Sequence, residues 1–485
     1  MKIQVAFLLL FFVKISWSQS LEERIERVEN GLTIQATMPI GEEFFGSNII
    51  QRLKENKAYG ASVAIVHDGK IEWSKAYGVK QKGSSDLVTT ETLFQCASIG
   101  KVITAVAILN LVKDGKISLD EDINSKLQRW QIKENEFTKS QKVTVRHLLS
   151  HTAGLTDDYG FLGYDPKDKI PSLLQILNND PIANTKKEII VKTTPGQVER
   201  YSGAGYLILQ LLVEDVSGAS FSSFVEQRIF TPLQMTHSTY DNEPDKNLKV
   251  PIASGHLSKG KALKNKSYNI YPEKAAAGPW TTAEDLAKLI IAIQEALHNE
   301  SSAILDKSTA EELTTVQLNN KGLGINLKGV EKAEAFWHAG QNLGYTGLLY
   351  GLVDEGDGAV ILLNTDGGER LMQEFITSVA HEYNWPVMKS FESLDIPKEV
   401  RSSLVGKFES HDKSKTLFIA EQKGGLVLKP AGSKRGVELV RIDDLEYTFK
   451  DAQDYYRLTF NIENSVTTLR YIESVGNILE LKKVK

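Results

Sequence analysis

Thr92-Leu93-Phe94-Gln95-Cys96-Ala97-Ser98-Ile99-Gly100-Lys101 is a strand-like approach that opens into an apolar helical run carrying Val102, Ile103, Val106, Ile108, Leu109, Leu111 and Val112. A serine in the first turn of a buried helix has its hydroxyl near unpaired backbone N–H groups and the positive end of the helix dipole. A lysine three positions later lies one turn along the same face, within reach of that hydroxyl. A serine hydroxyl is a weak nucleophile at neutral pH and needs an adjacent base. An amine serves as that base when burial favours its neutral form, and the apolar run around Lys101 supplies the burial. Spacing alone is cheap: Ser258/Lys261 and Ser410/Lys413 repeat it, but in polar, lysine-rich sequence with no apolar helix behind them.

The length of 485 residues predicts two to four domains, and a 41% hydrophobic content is enough for a large core. Lys2, the apolar stretch Val5–Val13 and Ser16-Trp17-Ser18 before Gln19 read as a secretory signal spanning residues 1–18. The stretch is too short to span a bilayer and Lys14 ends it, so no stable membrane anchor is expected. Without Lys2 and Lys14 the formal charge moves from -5 to -7. Such mild acidity gives no reason to expect nucleic acid or an anionic membrane as partner. Cys96 is the only cysteine, which excludes an intrachain disulfide. An export signal without disulfides fits a bacterial periplasm or exterior. Cys96 itself reads as a small buried packing residue.

Residues 19 to about 45 read as a polar leader. Ala61–Val66 and Ile71–Gly78 flank His67-Asp68-Gly69-Lys70, a hairpin with Asp-Gly at its turn. A short helix is expected at Thr144–His151, ended by Thr152-Ala153-Gly154, with further helices at Tyr206–Val216 and Phe221–Ile229, and Thr282–Asp285 caps another through Ile291. Tyr345–Val353 and Ala359–Asn364 alternate like strands, with a helix from about Glu369 to Tyr383 after them. Strands early and late with helices between describe an α+β domain over residues 19–388 whose ends share one antiparallel sheet. Beyond Trp385-Pro386 the composition changes. Thr416–Ala420, Gly425–Lys429, Val437–Ile442, Tyr455–Ile462 and Val466–Ile472 are β-rich runs separated by turn residues. They predict a separate antiparallel β domain over 395–485, a sandwich or barrel.

Two more clusters carry chemistry. In Pro195-Gly196-Gln197-Val198-Glu199-Arg200-Tyr201-Ser202-Gly203-Ala204-Gly205-Tyr206, small residues suit a tight turn that can present the Tyr201 phenol to the nucleophile. A phenol near a lysine can relay protons. In Trp337-His338-Ala339-Gly340-Gln341, followed by Asn342, Gly344, Tyr345, Thr346 and Gly347, a small-residue edge strand lets a substrate backbone approach closely. Its amides can point at a developing oxyanion. His338 is there either a charge or hydrogen-bond partner or a satisfied structural histidine.

In this order, Ser98-x-x-Lys101, Tyr201-Ser202-Gly203 and His338-Ala339-Gly340 resemble the serine β-lactamase and penicillin-binding-protein family, in its class C-like serine hydrolase branch. Arg146–Leu155 and Ala277–Leu286 add two stretches typical of that branch, and the resemblance covers about residues 45 to 385. It implies a β-lactamase/transpeptidase-like α+β fold and acyl transfer through a covalent serine intermediate. Ser98 is then the nucleophile, with Lys101 and Tyr201 sharing the general-base and general-acid work. The oxyanion hole is implied to be the backbone N–H groups of Ser98 and Gln341, and His338 takes the place of the third-motif lysine. Gly203 and Gly340 fall at substrate-binding positions. No cofactor and no metal are implied.

Two departures stand out. Gly203 replaces the asparagine that holds the substrate's acyl-side amide. His338, mostly neutral at its ordinary pKa, replaces a lysine that helps bind a substrate carboxylate. Both point away from efficient β-lactamase activity and toward a peptidase or esterase acting on a small-molecule or peptide substrate, peptidoglycan-derived peptides among them. The C-terminal β domain resembles the lipocalin-like or barrel domains appended to some of these hydrolases, as a cover for the cleft or a passive stability module.

His147 and His151 have a spacing that can face one metal, but Leu148 stands where a zincin carries its glutamate, and no further ligand cluster is evident. The Gly-x-Ser-x-Gly elbow of α/β-hydrolases is missing, because Cys96 occupies the first glycine's place. The competing reading is a catalytically silent homologue that keeps the fold as a ligand-binding or sensing module.

Overall fold

The computed structural model describes residues 20–34, 38–39, 46–156, 161–185, 188–244, 248–263, 267–299, 301–329, 332–386, 390–391, 393–433, 435–450, 456–463 and 466–484. The signal-like segment 1–18 lies outside them. The hydrolase-like part is organised on β1 (Gly60–His67), β2 (Lys70–Gly78), β3 (Asn326–Lys328), β4 (Ala335–Asn342), β5 (Tyr345–Leu352) and β6 (Gly358–Leu363). They form one antiparallel sheet in the order β3-β4-β5-β6-β1-β2, so strands from both ends of the domain meet where Ala61 pairs with Leu363 and Val66 with Gly358. The β1–β2 turn has Asp68 at φ 51 and Gly69 at φ 71, the double positive φ that an Asp-Gly hairpin turn uses.

Both faces of this sheet are covered. Ala61, Val63 and Ile65 pack with Ala359, Ile361 and Leu363 toward the terminal helices α1 (Leu21–Asn30) and α8 (Glu369–Glu382). Ala64, Val66, Val360 and Leu362 face the larger core. That core is built around α2 (Gly100–Lys113), α3 (Val145–Leu149), α4 (Gly203–Ser217), α5 (Lys274–Ala277), α6 (Ala283–His298) and α7 (Lys307–Thr314). Every residue of β6 is therefore buried, and the alternation expected there is hidden by burial on two sides. α2 is buried from Gly100 through Leu111, the pattern of a helix enclosed on all sides.

Several expectations need correction. Part of the segment read as a polar leader is α1, closed by a Ser20/Glu23 capping box. Only Val28 is fully buried on it, and Arg24 and Arg27 pair with Glu72 and Glu382, so its sequence looks solvated while the helix closes one face of the sheet. The helix expected over Phe221–Ile229 is α-helical only to Val225 and continues as a π turn, Glu226–Phe230. α6 runs past Ile291 to His298. Among the described residues no single helix is long and apolar enough to cross a membrane.

The C-terminal part is a closed eight-stranded antiparallel barrel: β7 (Gly406–Ser410), β8 (Thr416–Gln422), β9 (Gly425–Pro430), β10 (Val437–Arg441), β11 (Glu446–Phe449), β12 (Arg457–Glu463), β13 (Val466–Ser474) and β14 (Asn477–Val484). The sequence reading missed β7, β11 and β14. β7 and β14 each carry a single fully buried residue, Phe408 and Leu481, among lysines and glutamates. The lumen is filled: Phe408, Tyr447 and Phe460 meet edge-on at 5.3–5.8 Å, and Leu469 and Leu481 close the layer. It is a packed core.

Trp385, fully buried after α8, donates from Nε1 to Asp357 Oδ2 at 3.0 Å and stacks on Tyr350 at 5.5 Å. The same carboxylate accepts from the backbone N–H of Asp68 and lies 2.8 Å from His67 Nδ1, so Trp385 locks the β1–β2 and β5–β6 turns together. Trp385→Ala is expected to lower unfolding free energy by about 3–5 kcal/mol. Denaturant titration checks this, and a loss under about 1 kcal/mol would place the tryptophan outside the cooperative core.

Candidate active site

Ser98 sits in a 3-10 turn, Ala97–Ile99, that feeds α2. Ala97 just before it has φ 49, a left-handed conformation costly for a residue with a Cβ and tolerated where the surroundings impose it. The surroundings are tight. The Cys96 N–H donates to Pro279 O at 3.2 Å, and a Cβ on Gly100 would lie 2.8 Å from the Pro279 ring. Cys96 is fully buried, and burial pushes its thiol well up, so it packs and does not compete as nucleophile.

Lys101 is 2% exposed, and its Nζ donates to Ser98 Oγ at 3.0 Å and to Ala276 O at 2.8 Å. The second partner is a main-chain carbonyl of α5, a helix whose Ala-Ala-Ala-Gly-Pro sequence lets its backbone lie directly against α2. Tyr201 OH donates to the same Ser98 oxygen at 2.9 Å. Lys101 Nζ also lies over the Tyr201 and Tyr206 rings, 5.0 and 5.2 Å from their centroids. The three residues joined in the sequence reading thus meet on one oxygen.

The tyrosine loop is held from behind by His151, itself at φ 60. The Arg200 N–H donates to His151 O at 2.8 Å and the Ser202 N–H to His151 Nδ1 at 3.1 Å, and the imidazole lies 4.4 Å from the Tyr201 ring. Burial pushes the pKa of His151 well below its ordinary value, with help from the Lys101 charge, so it stays a neutral acceptor. His147 Nδ1 accepts from the Thr144 N–H at 3.2 Å. Each of the two histidines spaced for a metal therefore spends a ring nitrogen on the backbone. Gly203 is the buried first residue of α4, behind the Ser202 cap, and presents no side chain where the family has asparagine.

The opposite wall is β4. β3 pairs with it only over Ala335–Trp337, and the outer edge from His338 onward runs beside the Ser98 turn. A Cβ on Gly340 would sit 2.1 Å from Cys96 O, so only glycine lets the strand pass this close. The Gln341 side chain is tied to Asp366 O and Glu369, leaving its main chain for the site, and Asn342 Nδ2 donates to Gln95 Oε1 and Ala277 O. His338 is 4% exposed, and burial followed by the Lys101 charge lowers its pKa to about 3. Its Nδ1 lies 2.6 Å from Ala339 O, which fixes the proton on Nδ1 and leaves Nε2 as an acceptor. The third motif offers a lone pair, not a cation.

The sequence reading missed three contributors: the Ala276 carbonyl, the imidazole behind the tyrosine loop, and Lys321, whose charge also acts on both His151 and His338. The alanine run before Gly278-Pro279 was the available signal for the first. Nothing in the local sequence marks the other two.

A serine oxygen held by a buried lysine and a tyrosine, beside a glycine-bearing sheet edge on an α+β scaffold, defines a serine-hydrolase-like protein of the penicillin-binding-protein class. The chain belongs to the β-lactamase family, whose model matches residues 45–381, more than half of its length. It is 30% identical over 203 residues to penicillin-binding protein 4 of Amycolatopsis lactamdurans, covering 42% of this chain and 50% of that one. The chain spans about half the length of the curated relatives it matches. The fold is shared with the octameric penicillin-binding protein homologue from Pyrococcus abyssi (TM-score 0.58, 21% identity, 90% of this chain and 98% of the other). It is shared equally with the D-amino acid amidase from Ochrobactrum anthropi SV3 (TM-score 0.58, 20% identity, 75% and 99%).

Two pH effects follow. The pKa of His338 is lower folded than unfolded, so protons favour the unfolded chain, and stability falls as pH drops from about 6.5 toward 3. His338→Gln is expected to flatten that dependence in melting curves at pH 4 to 7; an unchanged slope would mean the imidazole charges without cost. Glu273, just before α5, is 1% exposed, and burial pushes its carboxyl up to about 8. The folded chain there keeps a proton that the unfolded chain releases, so stability falls as pH rises from about 4.5 to 8. Glu273→Gln should raise the melting temperature more at pH 8 than at pH 5, and an equal effect at both would place the charge outside the folding equilibrium.

Proposed function

We propose that the chain is a serine hydrolase that cleaves an amide, peptide or ester bond through acyl-Ser98, and that β-lactams are poor substrates. The observation that carries this is the convergence of Lys101 Nζ and Tyr201 OH on Ser98 Oγ. The reactive form is the one in which the Lys101–Tyr201 pair carries one proton fewer than an ammonium plus a phenol; as Oγ attacks the scissile carbonyl carbon, the serine proton fills that place. The carbonyl oxygen becomes an oxyanion between the Ser98 and Gln341 amides. Collapse of the tetrahedral species breaks the bond to the leaving group, which takes the proton from Tyr201. Water then repeats the sequence on the acyl-enzyme and releases the acid.

The neutral His338, with its one N–H spent on Ala339 O, supports the substrate preference, because it has no charge for a β-lactam carboxylate. The bare Gly203 supports it as well, with no side-chain amide for the acyl group. Small amino-acid amides and short peptides, D-configured ones included, are the class to try first, given the amidase that shares the fold. The Lys2–Ser18 pattern extends the proposal to export, with a mature chain starting at Gln19.

Intact-mass analysis after incubation with a fluorophosphonate, and separately with a penicillin, tests the reading. Wild type is expected to gain one phosphonate on Ser98 and little penicilloyl adduct, and Ser98→Ala neither. Lys101→Ala should slow labelling by about 10²–10⁴-fold. A folded wild-type sample that takes no label would sink the proposal in favour of a binding or sensing module.

A further inference from the structure

The barrel's β13–β14 hairpin ends at Val475-Gly476, with a register irregularity in β13 just before the tip. Val475 is 4% exposed, yet it packs within the hydrophobic core of the hydrolase domain, where Val316 also lies, and not within the barrel's own core. Gly476 has φ 86, and a Cβ on it would sit 2.3 Å from Asn319 O and 3.2 Å from Val316 Cγ1. The hairpin therefore presses on the loop between α7 and β3.

That loop reaches the catalytic tyrosine. Asn319, at φ 53, donates from Nδ2 to Glu199 Oε2 at 3.0 Å, and Lys321 Nζ lies 3.4 Å from Glu199 Oε1. Glu199 stands two residues before Tyr201. Arg200 and Ser202, on either side of Tyr201, are fastened from the interior through their amides on His151. The Glu199 carboxylate fastens the segment from the other side, onto the loop under the hairpin. A tyrosine oxygen 2.9 Å from its target has little tolerance, since displacements near 1 Å cost about 100-fold in rate.

We propose that the C-terminal barrel is a positioning element for the hydrolase site: its Val475-Gly476 tip sets the 316–321 loop, which holds Tyr201 on Ser98 through Asn319 and Glu199. This rests on the acyl-serine reading above. The barrel acts here as a brace on the tyrosine loop and needs neither to cover the cleft nor to touch substrate. Lys321 adds charge to the clasp, while the hydrogen bond from Asn319 sets its geometry.

The experiment follows labelling of Ser98 by a fluorophosphonate in the full-length chain, resolving maximal rate from half-saturating concentration at pH 5 to 9. Gly476→Val, Asn319→Ala and Glu199→Ala are each expected to lower the maximal rate by about 10- to 100-fold while half-saturation stays within about twofold. Glu199→Gln, which still accepts from Asn319, should recover most of the rate. The double variant Asn319→Ala/Glu199→Ala should be no slower than the slower single one, because both break the same link. Asp412→Ala, in the exposed β7–β8 turn, serves as the control for the barrel. If Gly476→Val does not fold, Asn319→Ala and the Glu199 pair decide. Folded variants with wild-type rates, or additive losses in the double variant, overturn the inference. A wild type that takes no label overturns the acyl-serine reading instead, and this inference falls with it.

Discussion

An amine that is 2% exposed must satisfy its N–H groups inside the protein, because an unmet donor there costs on the order of 1–3 kcal/mol or more. Around Lys101 that requirement organises a large part of the molecule. One partner is Ser98, one turn back in the 3-10 turn whose first residue, Ala97, is held in a left-handed conformation. The other is a carbonyl of α5, whose small Ala275, Ala276 and Ala277 let its backbone lie against α2, where the Ala275 and Ala276 carbonyls accept from Thr104 and Lys101. Two tyrosine rings close the remaining approach. The same contacts that keep the amine satisfied hold the serine oxygen between two proton carriers. Stability and chemistry are therefore not separable at this residue.

The site was legible where its chemistry is local in sequence. Ser98 and Lys101 are one helical turn apart, and an apolar run on that scale declares a buried helix. Tyr201 was readable from the small residues around it, which announce a tight turn before α4. What could not be read is what reaches the site from far along the chain: the Ala276 carbonyl, the His151 ring nitrogen under Ser202, and the Lys321 charge near His338. A main-chain acceptor leaves almost no mark in sequence, and a histidine supporting a backbone amide looks the same as one spaced for a metal. Sequence alone allows His338 to be either a partner in the site or a structural residue. The structure makes it a neutral acceptor because burial outweighs any gain from charging it.

The fold was legible in class but not at its margins. Strands buried on both faces, such as β6, lose the alternation that marks a half-exposed strand. α1 and the barrel strands β7 and β14 failed to register for the opposite reason. Each commits only one fully buried side chain inward, and charged residues interrupt the apolar pattern around it. Closure of the barrel compensates for such thin strands: with no free edge, a single inward Phe408 or Leu481 suffices to place a strand in the layer. A filled lumen also removes the barrel from consideration as a container and leaves its outer surface and turns as the parts able to act on the hydrolase domain.

The pairing of Ala61 with Leu363 has a consequence for how the protein comes into being. Ser98, Lys101 and Tyr201 are all synthesised well before the strand that completes the sheet beneath them. Until β6 arrives, α2 has no finished core to enter, and its apolar surface waits in an open chain. Contacts of such long range form slowly, because loop closure must precede any gain from burial. A nascent chain would thus carry Ser98, Lys101 and Tyr201 apart from one another, and their meeting on one oxygen would come late, with the closing of the sheet. The order of synthesis thus separates the making of the site's side chains from the making of the site.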